Sequence, residues 1–193
     1  MGSDLFAGLS ASFEGRPVLD NFTLDLPDRG VFCLHGPSGC GKTTFLRVVC
    51  ARLLRTARPL GYVFQEDRLF PQLTALQNAA VSGAPPALAK ELLCALGLRG
   101  SLGLLPAELS GGMRRRVALA RALAAVSGQP DGVLLLDEPF TGLDENNKAL
   151  SAALVAAHRP GLVLLVTHDL QEAAALGAQV FAVQGPPLEV AAK

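Results

Sequence analysis

Residues Gly36-Pro37-Ser38-Gly39-Cys40-Gly41-Lys42-Thr43, followed by Thr44, form a glycine-spaced octet that ends in a cation and two hydroxyls. Glycines let successive backbone N–H groups turn inward around phosphate oxygens. Lys42 is placed for β and γ phosphates, and Thr43 offers a hydroxyl to magnesium. Further along, the apolar run 133–136 leads into Asp137-Glu138. One of these carboxylates can reach a magnesium shell, commonly through water. The next side chain points elsewhere and can orient an attacking water. A third segment, Leu109-Ser110-Gly111-Gly112-Met113, has no obvious task inside its own subunit. The chemistry implied is the handling of a nucleoside triphosphate.

Smaller candidates surround these. His168 follows the run 162–166, and parallel neighbours end on one side of a sheet, so His168 is expected near the γ-phosphate. Gln65, after the run 61–64, can contact magnesium or the water nucleophile. Cys40, beside a lysine at a helix N-terminus, is a candidate reactive thiol, with modification by maleimide expected to block ATP binding. A small side chain filling space fits the same position. His35 and His158 read as structural.

The elements that must position these groups are legible from periodicity. Residues 5–13 and 18–26 alternate partially around Glu14-Gly15-Arg16-Pro17, as a hairpin would. Residues 31–35 form a buried strand feeding the glycine loop, and 43–55 have a helical period. Residues 61–64 read as a strand. A proline-punctuated block, about 66–128, carries short helices such as 87–96 and closes with a helix over about 110–125. Strand and helix then alternate: 133–136, 146–157, 162–166, 170–176 and 180–183, with the tail after Gly185-Pro186-Pro187 expected to hold only a final turn. This order predicts an α/β fold: a P-loop core with a mainly parallel sheet and a helical insertion. The whole of 1–193 is expected to be one domain.

Composition narrows the function classes. The chain has 193 residues and zero formal net charge, with half of its residues apolar. Bulk attraction to nucleic acid or anionic membrane is not suggested. Arg114-Arg115-Arg116 is the one tight basic run, and it reads as a solvated helix face. The four cysteines lack C-x-x-C spacing and fit reduced thiols. Met1-Gly2-Ser3-Asp4 opens no signal peptide, and no apolar run approaches the about twenty residues of a membrane span. A cytoplasmic protein that docks at a membrane only through another subunit is expected.

Together these motifs resemble the nucleotide-binding subunit of ATP-binding cassette (ABC) transporters, over about residues 5–183. The resemblance rests on 36–43, Gln65, 109–112, Asp137-Glu138, Gly142-Leu143-Asp144 and His168, in that order. It implies ATP and Mg2+ as ligands and an ATPase reaction, with Thr43, Gln65 and Asp137 toward the metal. Glu138 would be the catalytic base, His168 the γ-phosphate switch, and Gln65 a sensor near the membrane partner. It explains the orphan segment too: two cassettes face head to tail, and Ser110, Gly111, Gly112 and Met113 of one meet the ATP held by the other. Asp144 resembles the residue that communicates between the two sites. Phe13 matches the aromatic that stacks on adenine; a strand residue in the core is the plainer reading.

Three departures accompany the resemblance. Met113 stands where glutamine is usual, and Phe13 where tyrosine is usual. The stretch between the first helix and Gln65 is short, which implies a reduced antiparallel β subdomain. The reading that follows is an ATPase powering solute transport, import of a small solute first, through transmembrane permease subunits. It would form a nucleotide-dependent homodimer, lie peripherally on the inner face of the cell membrane, and meet a solute-binding protein through the permease. The motifs around Gln65 and His168 are most similar to importers of nitrate, sulfonates or thiamine-type precursors. An exporter ATPase would use the same core, and Met113 leaves a degenerate nucleotide sensor open. A DNA-repair or translation cassette is disfavoured by the single cassette and the lack of a basic groove.

Overall fold

The computed structural model describes residues 4–191. The Met1-Gly2-Ser3 terminus, read above as free of a leader, lies outside the described residues. The chain opens with a hairpin, β1 (Leu9–Phe13) and β2 (Arg16–Phe22), in which Phe13 pairs with Arg16. Glu14 and Gly15 between them both take positive φ, 50° and 77°, the backbone of a tight two-residue turn. The first strand begins at Leu9 rather than Leu5, because Asp4–Phe6 is a 3-10 turn. Among the described residues this small antiparallel sheet has two strands.

The main sheet is built from β3 (Gly30–His35), β4 (Leu60–Val63), β5 (Val133–Asp137), β6 (Leu162–Thr167), β7 (Gln179–Gln184) and β8 (Glu189–Val190). Its order is β4-β5-β6-β3-β7-β8. The first five strands are parallel, and β8 pairs antiparallel with β7 at the edge. That last strand corrects the expectation of a bare turn after Gly185. Leu188 is buried there, and its N–H bonds the Val18 carbonyl, so the tail is pinned to the hairpin.

Every residue of β5 and β6 is buried, as continuous apolar runs in a doubly covered parallel sheet must be. Their side chains alternate between two cores. Val133, Leu135, Leu162 and Leu164 pack with the hairpin and with α1 (Lys42–Leu53), through Phe45, Leu46, Val49 and Leu53. Leu134, Leu136, Val163 and Leu165 pack on the opposite face, against α4 (Gly111–Val126) and α5 (Glu145–His158). The intervening α2 (Ala75–Ala80) and α3 (Pro86–Ala95) lie against α4, and α6 (Leu170–Ala175) follows β6.

Register matters most for function. His35 is level with Thr167, and Asp137 with Val166. The residues that leave β3, β5 and β6 therefore emerge together at the carboxyl edge of the sheet, where ligands of open α/β folds bind.

Candidate functional site

The loop from Gly36 to Gly41 leaves β3 under tight constraint. A Cβ on Gly36 would come within 2.2 Å of the Val183 carbonyl oxygen, so only glycine fits beside β7. Gly41 caps α1 at φ 112°, a conformation that L side chains rarely adopt. The first intrahelical bond runs from the Phe45 N–H to the Gly41 carbonyl, which leaves the amides ahead of it free of the helical ladder. Lys42 Nζ donates to the Gly36 and Pro37 carbonyls at 2.7 and 2.8 Å, closing the loop into a ring around the ammonium.

An open cleft of about 350 Å3 lies against this loop. Ser38, Gly39, Gly41, Lys42, Thr43 and Thr44 form its floor, and Gln65, Asp137 and Glu138 form one wall. The Thr43 hydroxyl donates to Asp137 Oδ1 at 3.1 Å, bringing two oxygens of separate elements to one point. Asp137 is 1% exposed. Burial raises its carboxyl above the usual carboxylate range, with the Thr43 hydroxyl and the Arg47 and Arg115 cations acting against that rise. Phe13 reaches the far end of the cleft from β1 and is 70% exposed, which sets aside the core reading of that residue.

Glu138 is one residue beyond β5 and has left-handed φ, 49°. The turn directs its carboxylate toward β6, where Oε2 lies 2.8 Å from His168 Nδ1. That hydrogen bond, reinforced by the same carboxylate's charge, raises the His168 pKa above its ordinary value. His168 is itself held by its neighbours: the Asp169 N–H bonds Thr167 Oγ1 at 3.0 Å, and that hydroxyl donates to the buried Glu172 at 2.6 Å.

Other expected residues stand apart from the cleft. Ser110 caps α4, accepting from the Met113 N–H at 3.2 Å, and Gly111, Gly112 and Met113 form the first turn. Asp144 caps α5, accepting from the Asn147 N–H at 2.9 Å. Neither group lines the cleft of its own chain. Cys40 is 1% exposed beside Phe45 and Leu46, and its Sγ lies 3.9 Å from Lys42 Nζ. That burial is in line with the space-filling reading and leaves little of the sulfur open to maleimide. His158 Nδ1 lies 3.1 Å from the Ser127 hydroxyl, in line with a structural role.

The basic run is the largest correction. Arg115 is not solvated; it is 4% exposed and bonds main-chain carbonyls of both Gln65 and Glu138. A signal was present in the sequence. Arg115 shares a helical face with Leu119, Ala122 and Val126, all buried. Three adjacent cations masked that periodicity.

The profile of the ABC transporter family matches residues 19–141. The chain belongs to the ABC transporter family. It is 40% identical over 195 residues to the aliphatic sulfonates import ATP-binding protein SsuB 3 of Paraburkholderia xenovorans, covering 92% of this chain and 75% of that protein. The sulfate/thiosulfate import ATP-binding protein CysA 2 of Chromobacterium violaceum is 36% identical, over 94% of this chain and 56% of its own length. The dimeric structure of MJ0796, a bacterial ABC transporter cassette, matches with a TM-score of 0.79 at 25% identity, covering 97% of this chain and 98% of that one. This chain is thus an ABC cassette that binds nucleotide, an ATPase of the transport class. No helix among the described residues is long and apolar enough to cross a membrane.

Proposed function

We propose that this cassette hydrolyses MgATP at the carboxyl edge of its sheet to power import of a small sulfur oxyanion or organosulfonate through permease subunits. The observation that carries the catalytic part is the convergence of Thr43 and Asp137 at 3.1 Å, with Glu138 beside them and Lys42 on the loop. Two hard oxygens from a hydroxyl and a carboxylate suit Mg2+, which takes few protein ligands and several from phosphate and water. Thr43 and Asp137 would hold the ion, with Gln65 next to them, and it would neutralise charge on the phosphate oxygens. Lys42 and the backbone N–H groups of Gly36 and of 38–44 bind the phosphates. Phe13 stacks on the base. Glu138 accepts the proton of the attacking water, and His168 supports Glu138 and senses the γ-phosphate. Catalysis of this kind is positioning and electrostatics.

The Ser110–Met113 turn and Asp144 act across a head-to-tail homodimer, which accounts for their position away from the cleft. An anion from the facing subunit would meet the N-terminal end of the sixteen-residue α4. A dimeric arrangement of a similar cassette supports this assembly. The import direction and solute class rest on the named activities of the similar proteins. A groove of about 320 Å3, lined by Tyr62, Phe64, Phe70, Val81 and Arg121, offers an apolar seat for a permease segment. The chain would then lie on the inner face of the membrane, with a solute-binding protein delivering to the permease.

The test is Glu138→Gln. Loss of the base should lower turnover by about a hundredfold or more, leave ATP binding intact, and yield an ATP-dependent dimer in size exclusion. A variant that remains monomeric at saturating MgATP and hydrolyses like the parent would remove both the base and the sandwich.

A further inference from the structure

Arg115 sends one guanidinium to five main-chain oxygens. Its Nε donates to the Pro139 carbonyl at 3.0 Å and Nη2 to the Asp137 carbonyl at 2.8 Å. Nη2 also bonds the Glu138 carbonyl, and Nη1 bonds the Phe64 carbonyl, both at close range. Nη1 reaches the Gln65 carbonyl at 3.2 Å, and the Asp67 carboxylate lies 3.5 Å from the same nitrogen. We propose that Arg115 is a positioning residue for hydrolysis, a rigid clamp that sets the spacing between Gln65 and Glu138.

The argument starts from cost. Burying a guanidinium forfeits its hydration, and a well-packed apolar side chain often serves stability as well. Arg115 projects from the buried face of α4, among leucines, alanines and valines that would accept such a replacement. What the arginine adds is geometry. Its planar fork fixes the direction of five donors at once, which neither lysine nor an apolar residue does. The acceptors belong to two chain segments that leave adjacent strands, β4 and β5. Both segments carry a residue of the cleft wall, Gln65 and Glu138.

The Glu138 backbone needs such support. A non-glycine residue in left-handed φ carries strain that persists only where the surroundings over-determine it. Arg115 bonds the carbonyls before, at and after that residue's own peptide: Asp137, Glu138 and Pro139. The guanidinium thereby holds the turn that aims the Glu138 carboxylate at His168. Because α4 starts at the Ser110 cap, any shift of that helix is carried by the clamp to both Gln65 and Glu138.

The proposal rests on Glu138 being the base, and the experiment separates the two claims. Steady-state MgATP hydrolysis and binding of a fluorescent ATP analogue are measured for the purified chain with Arg115→Lys, Arg115→Met, Glu138→Gln, and the Arg115→Lys/Glu138→Gln pair. Arg115→Lys keeps the charge and loses the fork. Its kcat should fall about tenfold, with KM and analogue Kd within about threefold, because the phosphate loop is untouched. In the Glu138→Gln background, the same lysine change should alter residual turnover less than about twofold, since a residue that acts through Glu138 has nothing left to position. Arg115→Met should lose at least as much kcat as Arg115→Lys. An Arg115→Lys protein with parental kcat overturns the clamp. So does a joint fall of kcat, analogue affinity and thermal midpoint that adds fully to Glu138→Gln, the mark of a merely structural residue. Parental turnover in Glu138→Gln alone would instead remove the base on which the clamp acts.

Discussion

His168 shows how a single contact converts geometry into a pH-dependent property. Its imidazole is 2.8 Å from Glu138 Oε2, and the protonated ring gains most from that carboxylate. A folded pKa above the unfolded value means the contact stabilises the fold fully below the unfolded pKa. That contribution is lost as pH rises through the raised value. The side chain is largely exposed, so solvent screens the pair and its share of stability is small. An NMR titration of the His168 ring should place its midpoint above 6.5, and Glu138→Gln should return it toward that ordinary value. Superimposable titrations of parent and variant would dissolve the pairing. Asp137 shows the opposite balance, with burial dominating and the carboxyl raised. A bound divalent cation there would favour the ionised form.

Elements hold such residues only if their connections are rigid. The turn from Phe70 to Thr74, at the edge of the Phe70 groove, is organised by one buried side chain from α2. Asn78 accepts from the Phe70 N–H at 2.8 Å and donates to the carbonyls of Phe70, Leu73 and Thr74 at 3.1, 2.8 and 3.1 Å. The Thr74 capping box, reciprocal with Gln77, starts the same helix. Replacing Asn78 with alanine removes the partner of several partly buried backbone groups. Chemical denaturation should report a loss of about 2–3 kcal/mol, with ATP affinity unchanged because the phosphate loop lies elsewhere. A loss below about 0.5 kcal/mol would mean that water satisfies that turn instead. The short link from α1 to β4, residues 54–59, replaces no part of this scaffold. It is tied instead to the entry of β5, where the Val133 N–H bonds the Pro59 carbonyl and Arg58 Nε bonds the Asp131 carbonyl, both at 2.8 Å.

At the scale of the molecule, the cleft draws on only some of the expected site residues. Lys42 and Asp137 line it, whereas Gly111 opens a helix outside it. If two copies meet head to tail, each composite site takes its phosphate loop from one chain and its α4 turn from the other. Lys42→Ala and Gly111→Asp should then each be inactive alone. An equal mixture should regain a measurable fraction of parental ATPase activity, because mixed dimers contain one site with both elements intact. Activity in the mixture no greater than the sum of the separate variants would count against the shared site.

Much of this protein is written locally. The glycine octet, the Asp137-Glu138 pair and the two fully buried strands follow from residue type and short-range periodicity, and the parallel sheet follows from their alternation with helices. Those features depend on backbone conformation and burial within a few residues, so sequence alone determined them. Three others needed the tertiary structure. Strand β8 exists because β7 offers an edge, not because 189–190 has a strong propensity. Cys40 turned inward because α1 packs its first turn on the hairpin-side core. Arg115 became a buried hub because β4 and β5, far apart in sequence, end side by side and present their carbonyls to one helix. Long-range register decides where a polar side chain finds its partners: helical periodicity marks the buried face of α4, but not the carbonyls that Arg115 meets there.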